Sequence, residues 1–207
     1  MSSQRKVYLI DDDQSVRESI TLVLSEGGYQ VFPFADAQVF LSEFKQSADP
    51  EVIVLDMKMP VISGLELQAQ ILNLGIKAPI IFISGQSHRE EIIHGFKSGA
   101  SDFLIKPFTT EQLTFSVEQA LSRDTEYKVI KNKYQLLTPR EKEVFELLAN
   151  GELLKIIANK WGVSESVIKI HKKHIMEKLG INSLQELGKV DLLLNTSDFK
   201  KFQTPKK

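Results

Sequence analysis

The sequence predicts two folded parts: an α/β domain on a doubly wound five-stranded parallel sheet, then an all-α domain of four helices containing a helix-turn-helix. Three features point there. Five short apolar runs alternate with stretches of helical length between residues 7 and 105. That alternation stops near residue 122, and only helical periodicity follows. Within the later part a glycine-containing turn, Gly162-Val163-Ser164, separates a short helical stretch from a longer one.

The apolar runs are 7–10, 29–32, 52–55, 80–83 and 103–105. Several are apolar at consecutive rather than alternate positions, as expected of strands covered on both faces. Between them, Val16/Ile20/Val23/Leu24 and Leu65/Leu67/Ile71/Leu72 recur at helical spacing. Right-handed crossovers then place any ligand site at the carboxyl ends of the strands. Residues 123–137 are charged with scattered apolar side chains and read as a partly helical linker, dividing the chain into 1–122, 123–137 and 138–207. Thr138, Pro139 and Glu141 form an N-cap, a first-turn proline and a capping-box acid ahead of Val144, Leu147 and Leu148. Asn150-Gly151 ends that helix, and a short one follows over 153–161. Ser164 and Ser183 are placed to cap helices over 165–179 and 184–194.

An apolar fraction of 42% with 26% charged residues excludes wholesale disorder and fibrous architectures. No apolar run approaches the roughly 18 residues of a membrane helix, and the MSSQRK start does not read as a secretory signal. The absence of cysteine rules out disulfides, thiolate-bound zinc and a thiol nucleophile, so a cytoplasmic location is expected. Residues 1–122 carry 9 Lys and Arg against 16 Asp and Glu (−7), and residues 123–207 carry 17 against 11 (+6). The split fits a cation partner for the first part and a polyanion for the second, or two unrelated solvated surfaces.

Asp11-Asp12-Asp13 follow directly on the first run and Asp56 on the third. Strands one and three of a doubly wound sheet are neighbours, so these acids converge at one end of the sheet. Oxygen donors without thiols or clustered histidines suit a hard cation such as Mg²⁺. Ser84 ends the fourth run and Lys106 follows the fifth, adding a hydroxyl and a fixed cation to the same rim. Such a rim can hold a phosphoryl group, with metal and ammonium neutralising its oxygens while a carboxylate acts as nucleophile. By itself the aspartate run also fits a solvated loop opening a helix. The coincidence of four strand ends favours a site.

The segments LIDDD, VLDMKMPVISG, IFISG and DFLIKPF resemble the receiver domains of bacterial two-component response regulators, flavodoxin-like domains, over residues 5 to about 122. The resemblance implies that Asp56 is the phosphoacceptor, that Asp11, Asp12, Asp56 and the backbone carbonyl of Lys58 hold Mg²⁺ or another divalent cation, and that Ser84 and Lys106 contact the phosphoryl group. It makes Ser84 and Phe103 the switch pair, with Phe103 otherwise a core side chain, and makes the Lys106-Pro107 bond cis. Asp13 falls at a variable position. The implied chemistry is self-phosphorylation from a phosphohistidine of a sensor histidine kinase. His88 and His94 match no donor motif and read as solvent-facing. Haloacid-dehalogenase-like phosphatases also use an aspartate with Mg²⁺, but need a second acid two residues on, where this chain has Lys58. The chain therefore reads as a regulator rather than an enzyme.

In the second part, a helical wheel over 165–179 puts Ile168, His171, Ile175 and Leu179 on a core-facing stripe. Ser166, Lys169, Ile170, Lys173 and Glu177 share the opposite face, with Lys172 at the boundary. A basic face holding one isoleucine suits a major groove, where an apolar side chain meets a thymine methyl, though a solvated basic face is the simpler alternative. His171 and His174 lack the further ligands a zinc site needs. LTPREKEVFELLANG and VSESVIKIHKKHIMEKLGINSLQELG resemble the effector domain of NarL/FixJ (LuxR-type) response regulators over about 134–195. That resemblance makes Lys169, Ile170 and Lys173 groove-facing, with Ser166 on the same face, places Lys172 or His171 at phosphates, and buries Trp161.

Two departures from the family pattern stand out in the second part. Leu153-Leu154 stand where polar residues usually open the scaffold helix, removing a cap, and Val167 stands for a threonine that reaches backbone phosphate. In the first part, Arg89-Glu90-Glu91 is more charged than the apolar helix start of FixJ-like dimers. The whole chain thus reads as a phosphorylation-controlled transcriptional regulator whose partners are a histidine kinase, double-stranded DNA and a second copy of itself when phosphorylated, with no membrane role. The alternative is a DNA-binding or protein-interaction module indifferent to phosphorylation.

Overall fold

The structure, a computed structural model, describes residues 5–44, 51–85 and 89–196. They fall into two compact units, one ending at Asp124 and one beginning at Thr125. In the first, strands β1 (Lys6–Ile10), β2 (Gln30–Phe34), β3 (Val52–Asp56), β4 (Ile80–Ser84) and β5 (Asp102–Ile105) form one parallel sheet in the order β2-β1-β3-β4-β5. Helices α1 (Gln14–Glu26), α2 (Ala37–Phe44), α3 (Gly64–Asn73), α4 (Arg89–Lys97) and α5 (Thr110–Gln135) alternate with them.

The consecutive apolar runs are explained by two cores. Tyr8, Ile10, Ile53, Leu55, Ile80 and Phe82 pack with Phe40 of α2 and Leu67 and Ile71 of α3. Their strand neighbours Val7, Leu9, Val52, Val54, Ile81 and Ile83 pack with Ile20 and Leu24 of α1 and Leu113 and Val117 of α5. Side chains of a strand alternate between faces, so a strand covered twice must be apolar throughout. β3 and β4 are buried at every position, whereas the edge strands β2 and β5 are not. β2 begins one residue later than its apolar run and ends two later. Tyr29 closes the turn after α1 instead, its N–H donating to the Leu24 carbonyl at 3.0 Å. Pro33 is tolerated because β2 is an edge strand with one ladder only.

The second unit contains α6 (Pro139–Ala149), α7 (Leu154–Trp161), α8 (Glu165–Leu179) and α9 (Leu184–Thr196). The capping box forms as the sequence predicts: Thr138 Oγ1 accepts from the Glu141 N–H at 3.2 Å, and Glu141 Oε2 accepts from the Thr138 N–H at 2.8 Å. Ser183 likewise accepts from the Glu186 N–H at 3.1 Å. Ser164 stands at the N-cap of α8, but its hydroxyl makes no capping bond, contrary to expectation. The segment expected as a linker is helical through Gln135 and supplies Tyr127, Ile130 and Tyr134 to the core of the second unit. Its charges sit between those three positions, which recur at helical spacing and define a buried stripe. Among the described residues no helix is long and apolar enough to cross a membrane.

Glu141 is buried and its carboxylate accepts a second hydrogen bond, from the Lys178 ammonium, at 2.6 Å. Burial pushes its carboxyl upward, but Lys178 and the Thr138 N–H outweigh burial and hold it below the ordinary glutamate value of 4.5. Its ionisation therefore stabilises the fold above that value, and the contribution is lost as pH falls through the lower folded value. Unfolding followed by the fluorescence of Trp161, the single tryptophan, should show stability falling with acid below about pH 4.5. In Glu141→Gln that acid dependence should shrink.

Candidate phosphoacceptor site and DNA-reading helix

Asp56 ends β3 and Asp11 follows β1; the pairing of Ile10 with Leu55 brings the two carboxylates side by side. Both are buried. Lys106, the first residue after β5, reaches between them: its Nζ lies 2.7 Å from Asp11 Oδ2 and 2.6 Å from Asp56 Oδ1. The remaining oxygens accept from backbone, Asp11 Oδ1 from the Asp13 N–H at 2.9 Å and Asp56 Oδ2 from the Lys58 N–H at 2.7 Å. Ser84, the buried last residue of β4, pairs in register with Ile105, and its carbonyl accepts from the Lys106 N–H at 2.7 Å. The Lys106-Pro107 peptide is cis. Three of the strand-end residues singled out in the sequence thus meet through their side chains, and Ser84 lies on the neighbouring strand end.

Burial pushes the Asp56 carboxyl up, and the pull of Lys106 and the Lys58 N–H does not bring it back to its ordinary value. Burial also acts to lower Lys106, but hydrogen bonds and charge from Asp11 and Asp56 outweigh it, so the ammonium is held above its ordinary value. The rim is therefore a poorly hydrated carboxylate beside a permanent cation, which suits attack on a phosphoryl group whose oxygens need neutralising.

Among the described residues no three acidic or histidine side chains cluster closely enough to make a cation site by themselves. Asp12 is exposed, while Asp11 and Asp56 share Lys106. Mg²⁺ nonetheless asks for only one or two carboxylates, taking its other ligands from water, backbone carbonyls and a phosphate, so this donor set fits it. Asp13 acts on the fold instead, since its Oδ1 accepts from the Ser15 and Val16 N–H groups at 2.8 and 3.1 Å and caps α1.

Two features were not foreseen from the sequence. Ser63 and Glu66 form a capping box that starts α3 at the end of the loop following Asp56. At the first position of that helix, a Cβ on Gly64 would lie 2.4 Å from the Asp56 carbonyl oxygen and 2.9 Å from Met57 Cα. Only glycine lets α3 approach so closely. Gly64→Ala should cost about 1–3 kcal/mol in urea unfolding and slow phosphorylation, because the backbone carrying Asp56 must move. The sequence signal was the S-G-x-E spacing after the third strand.

Phe103 is half-buried, its ring 6.0 Å from Phe82 and 6.5 Å from Phe96. His94 is exposed, and His88 lies outside the described residues. The charges opening α4 have a local reason: Glu90 and Glu91 lie in its first turn and His94 and Lys97 in its last, matching the helix dipole.

In the second unit, α7 and α8 are separated by Gly162 in the left-handed conformation, φ 65°. Ile168, Ile175 and Leu179 are buried, with His171 half-buried beside them. Ser166, Lys169, Ile170 and Lys173 are exposed and Lys172 is half-buried, as the wheel predicts. Lys133, from the end of α5, donates to the Leu179 carbonyl at 3.0 Å and so caps the carboxyl end of α8. Leu153 at the N-cap of α7 offers no capping bond and is exposed, while Leu154 packs on the core. Trp161 is only half-buried, a correction: it packs against the core, but the Arg140 guanidinium, 3.1 Å from its ring centroid, covers the rest of the ring where burial was expected.

Comparison with known proteins places both units. Residues 7–118 match the response regulator receiver domain, and residues 135–190 match the bacterial regulatory proteins of the luxR family. The response regulator protein TodT of Pseudomonas putida is 35% identical over 198 residues, 92% of this chain and 87% of its own length. The transcriptional regulatory protein FixJ of Bradyrhizobium diazoefficiens is 31% identical over 194 residues, 90% of this chain and 94% of its own. A crystal structure of full-length FixJ from B. japonicum superposes with a TM-score of 0.58 at 30% identity, covering 94% of this chain and 98% of that one. With a receiver domain followed in sequence by a luxR-type domain, this chain belongs to the NarL/FixJ class of two-component response regulators.

Proposed function

We propose that the chain is switched by phosphorylation of Asp56 and, in that state, binds promoter DNA through α8. The observation that carries the reading is the Lys106 ammonium shared by the buried Asp11 and Asp56 beside Ser84. A carboxylate oxygen of Asp56 attacks the phosphorus of a kinase phosphohistidine. The P–O bond forms as the N–P bond breaks, and the leaving imidazole departs with that electron pair. Lys106 neutralises the phosphoryl oxygens, and Ser84 then turns its hydroxyl to one of them while Phe103 packs inward. Asp11, Asp12, Asp56 and the Lys58 carbonyl are the groups that would hold Mg²⁺, which supplies further charge neutralisation. The receiver is taken as 1–122 and the effector as 138–207, with 123–137 between them packing Tyr127, Ile130 and Tyr134 on the effector's core. A histidine kinase, double-stranded DNA and a second copy of the phosphorylated chain are the partners, in the cytoplasm.

On α8, Ser166, Lys169, Ile170 and Lys173 face the groove, and Lys172 or His171 meets phosphate. Exposed Ile170 between lysines is the feature that favours a groove over plain solvent. Fluorescence anisotropy of the full chain with acetyl phosphate and Mg²⁺, on a duplex enriched from random sequence and a scrambled one, tests the assignment. Lys172→Ala should weaken binding to both duplexes and lower the salt slope by about one unit. Lys173→Ala should cost about 1–3 kcal/mol at one base position, and Ile170→Ala should relax a thymine preference with an unchanged slope. If all variants bind both duplexes like wild type, α8 is not the reading element.

A further inference from the structure

Lys169, Lys173 and Glu177 succeed one another at four-residue intervals, forming one row along the exposed face of α8. Together with Lys172, Met176 and Asn182, this row lines an open groove of about 530 Å³. The acid in that row is unexplained by the stability of the helix. It sits in the last turn of α8, where the carbonyl end of the helix disfavours negative charge. Its partner Lys173 precedes it by four residues, the weaker order for such a pair, and the ions are 3.8 Å apart. Glu165 is the contrast: it lies in the first turn, precedes Lys169 by four and pairs at 3.1 Å, favourable on each count. A local rule broken with only this loose ion pair to offset it points to function.

Resting on the reading of α8 as the DNA-reading helix, we propose that Glu177 is a specificity-determining residue of the DNA complex. Its carboxylate accepts from the exocyclic amine of one cytosine, the major-groove donor that suits a glutamate. Complexes held by phosphates alone gain nothing from a carboxylate and are repelled by it, so the same residue selects for its base and against unspecific DNA. Lys173, loosely paired with it, is released to a neighbouring acceptor when Glu177 finds the amine.

The test selects duplexes from a random-sequence pool with the full chain, acetyl phosphate and Mg²⁺, then measures affinity for the enriched and a scrambled duplex. Wild type should enrich cytosine at one position. Glu177→Ala should lose that preference, bind the scrambled duplex more tightly and reduce the affinity ratio by about tenfold. Glu177→Gln should move the preference to adenine, the base a side-chain amide pairs with. Glu165→Ala should leave the preferred bases unchanged. If Glu177→Ala enriches the same bases with the same affinity ratio, Glu177 reads nothing and the inference falls alone. If wild type enriches no sequence and binds no duplex, the assignment of α8 falls and takes the inference with it.

Discussion

Asp56→Asn should take up no phosphoryl group under conditions where wild type becomes modified. With acetyl phosphate and Mg²⁺, intact-mass measurement should show wild type gaining about 80 Da while the asparagine variant stays at its own mass. An amide has no anionic oxygen to attack phosphorus, and neither Asp11, tied to Lys106 and the Asp13 N–H, nor exposed Asp12 stands in its place. The loss of chemistry should not be a loss of fold. The folded value of Asp56 lies above its unfolded one, so its ionised form costs the folded state stability as pH rises through that range. The asparagine variant should therefore unfold at a urea concentration equal to or above that of wild type. An adduct persisting in Asp56→Asn at the wild-type level would overturn the acceptor assignment.

Lys106→Met should give the largest stability loss of any single change at the site. It leaves two buried carboxylates, Asp11 and Asp56, facing each other without their shared cation. Removing one partner of a buried ion pair costs about 3–5 kcal/mol, because the remaining charge has neither water nor counterion. Adding Asp56→Asn to Lys106→Met should restore most of the loss, a coupling that a double-mutant cycle reads directly. Urea unfolding followed by far-UV circular dichroism is the suitable probe, since Trp161 reports only the helical unit. An additive outcome, with no rescue, would mean that the two carboxylates do not share the lysine in solution.

The sheet was legible because burial on both faces forces unbroken apolar runs, and four runs carried polar residues at their carboxyl ends. Residues as far apart in sequence as Asp11 and Lys106 could be brought together by topology alone. Less legible were features set by close approach. Gly64 looks like any loop glycine until α3 is seen against the Asp56 carbonyl. The segment 123–137 looks like a solvated connector because its charged residues outnumber the four that pack, Tyr127, Ile130, Tyr134 and Leu137. Ser164 occupies the expected cap position without capping, since residue type fixes the offer of a hydrogen bond and not its geometry. Trp161 departs from expectation for a related reason: Arg140 covers its ring as an apolar neighbour would, yet leaves it partly wet.

The packing of Tyr127, Ile130 and Tyr134 into the second unit, and the Lys133 bond to Leu179, bear on how such proteins are assembled from exchangeable pieces. A portable effector must carry these four residues with it, so the seam for transplanting it onto another receiver lies inside α5, near Thr125, and not at the loop after Gln135. A graft cut at residue 138 would arrive with Phe145 stripped of the Tyr134 ring that stands 5.2 Å away, and with the Leu179 carbonyl at the end of α8 stripped of its Lys133 donor. Recombination that respects helix boundaries would thus yield a crippled module, whereas a break in the middle of a helix would yield a whole one.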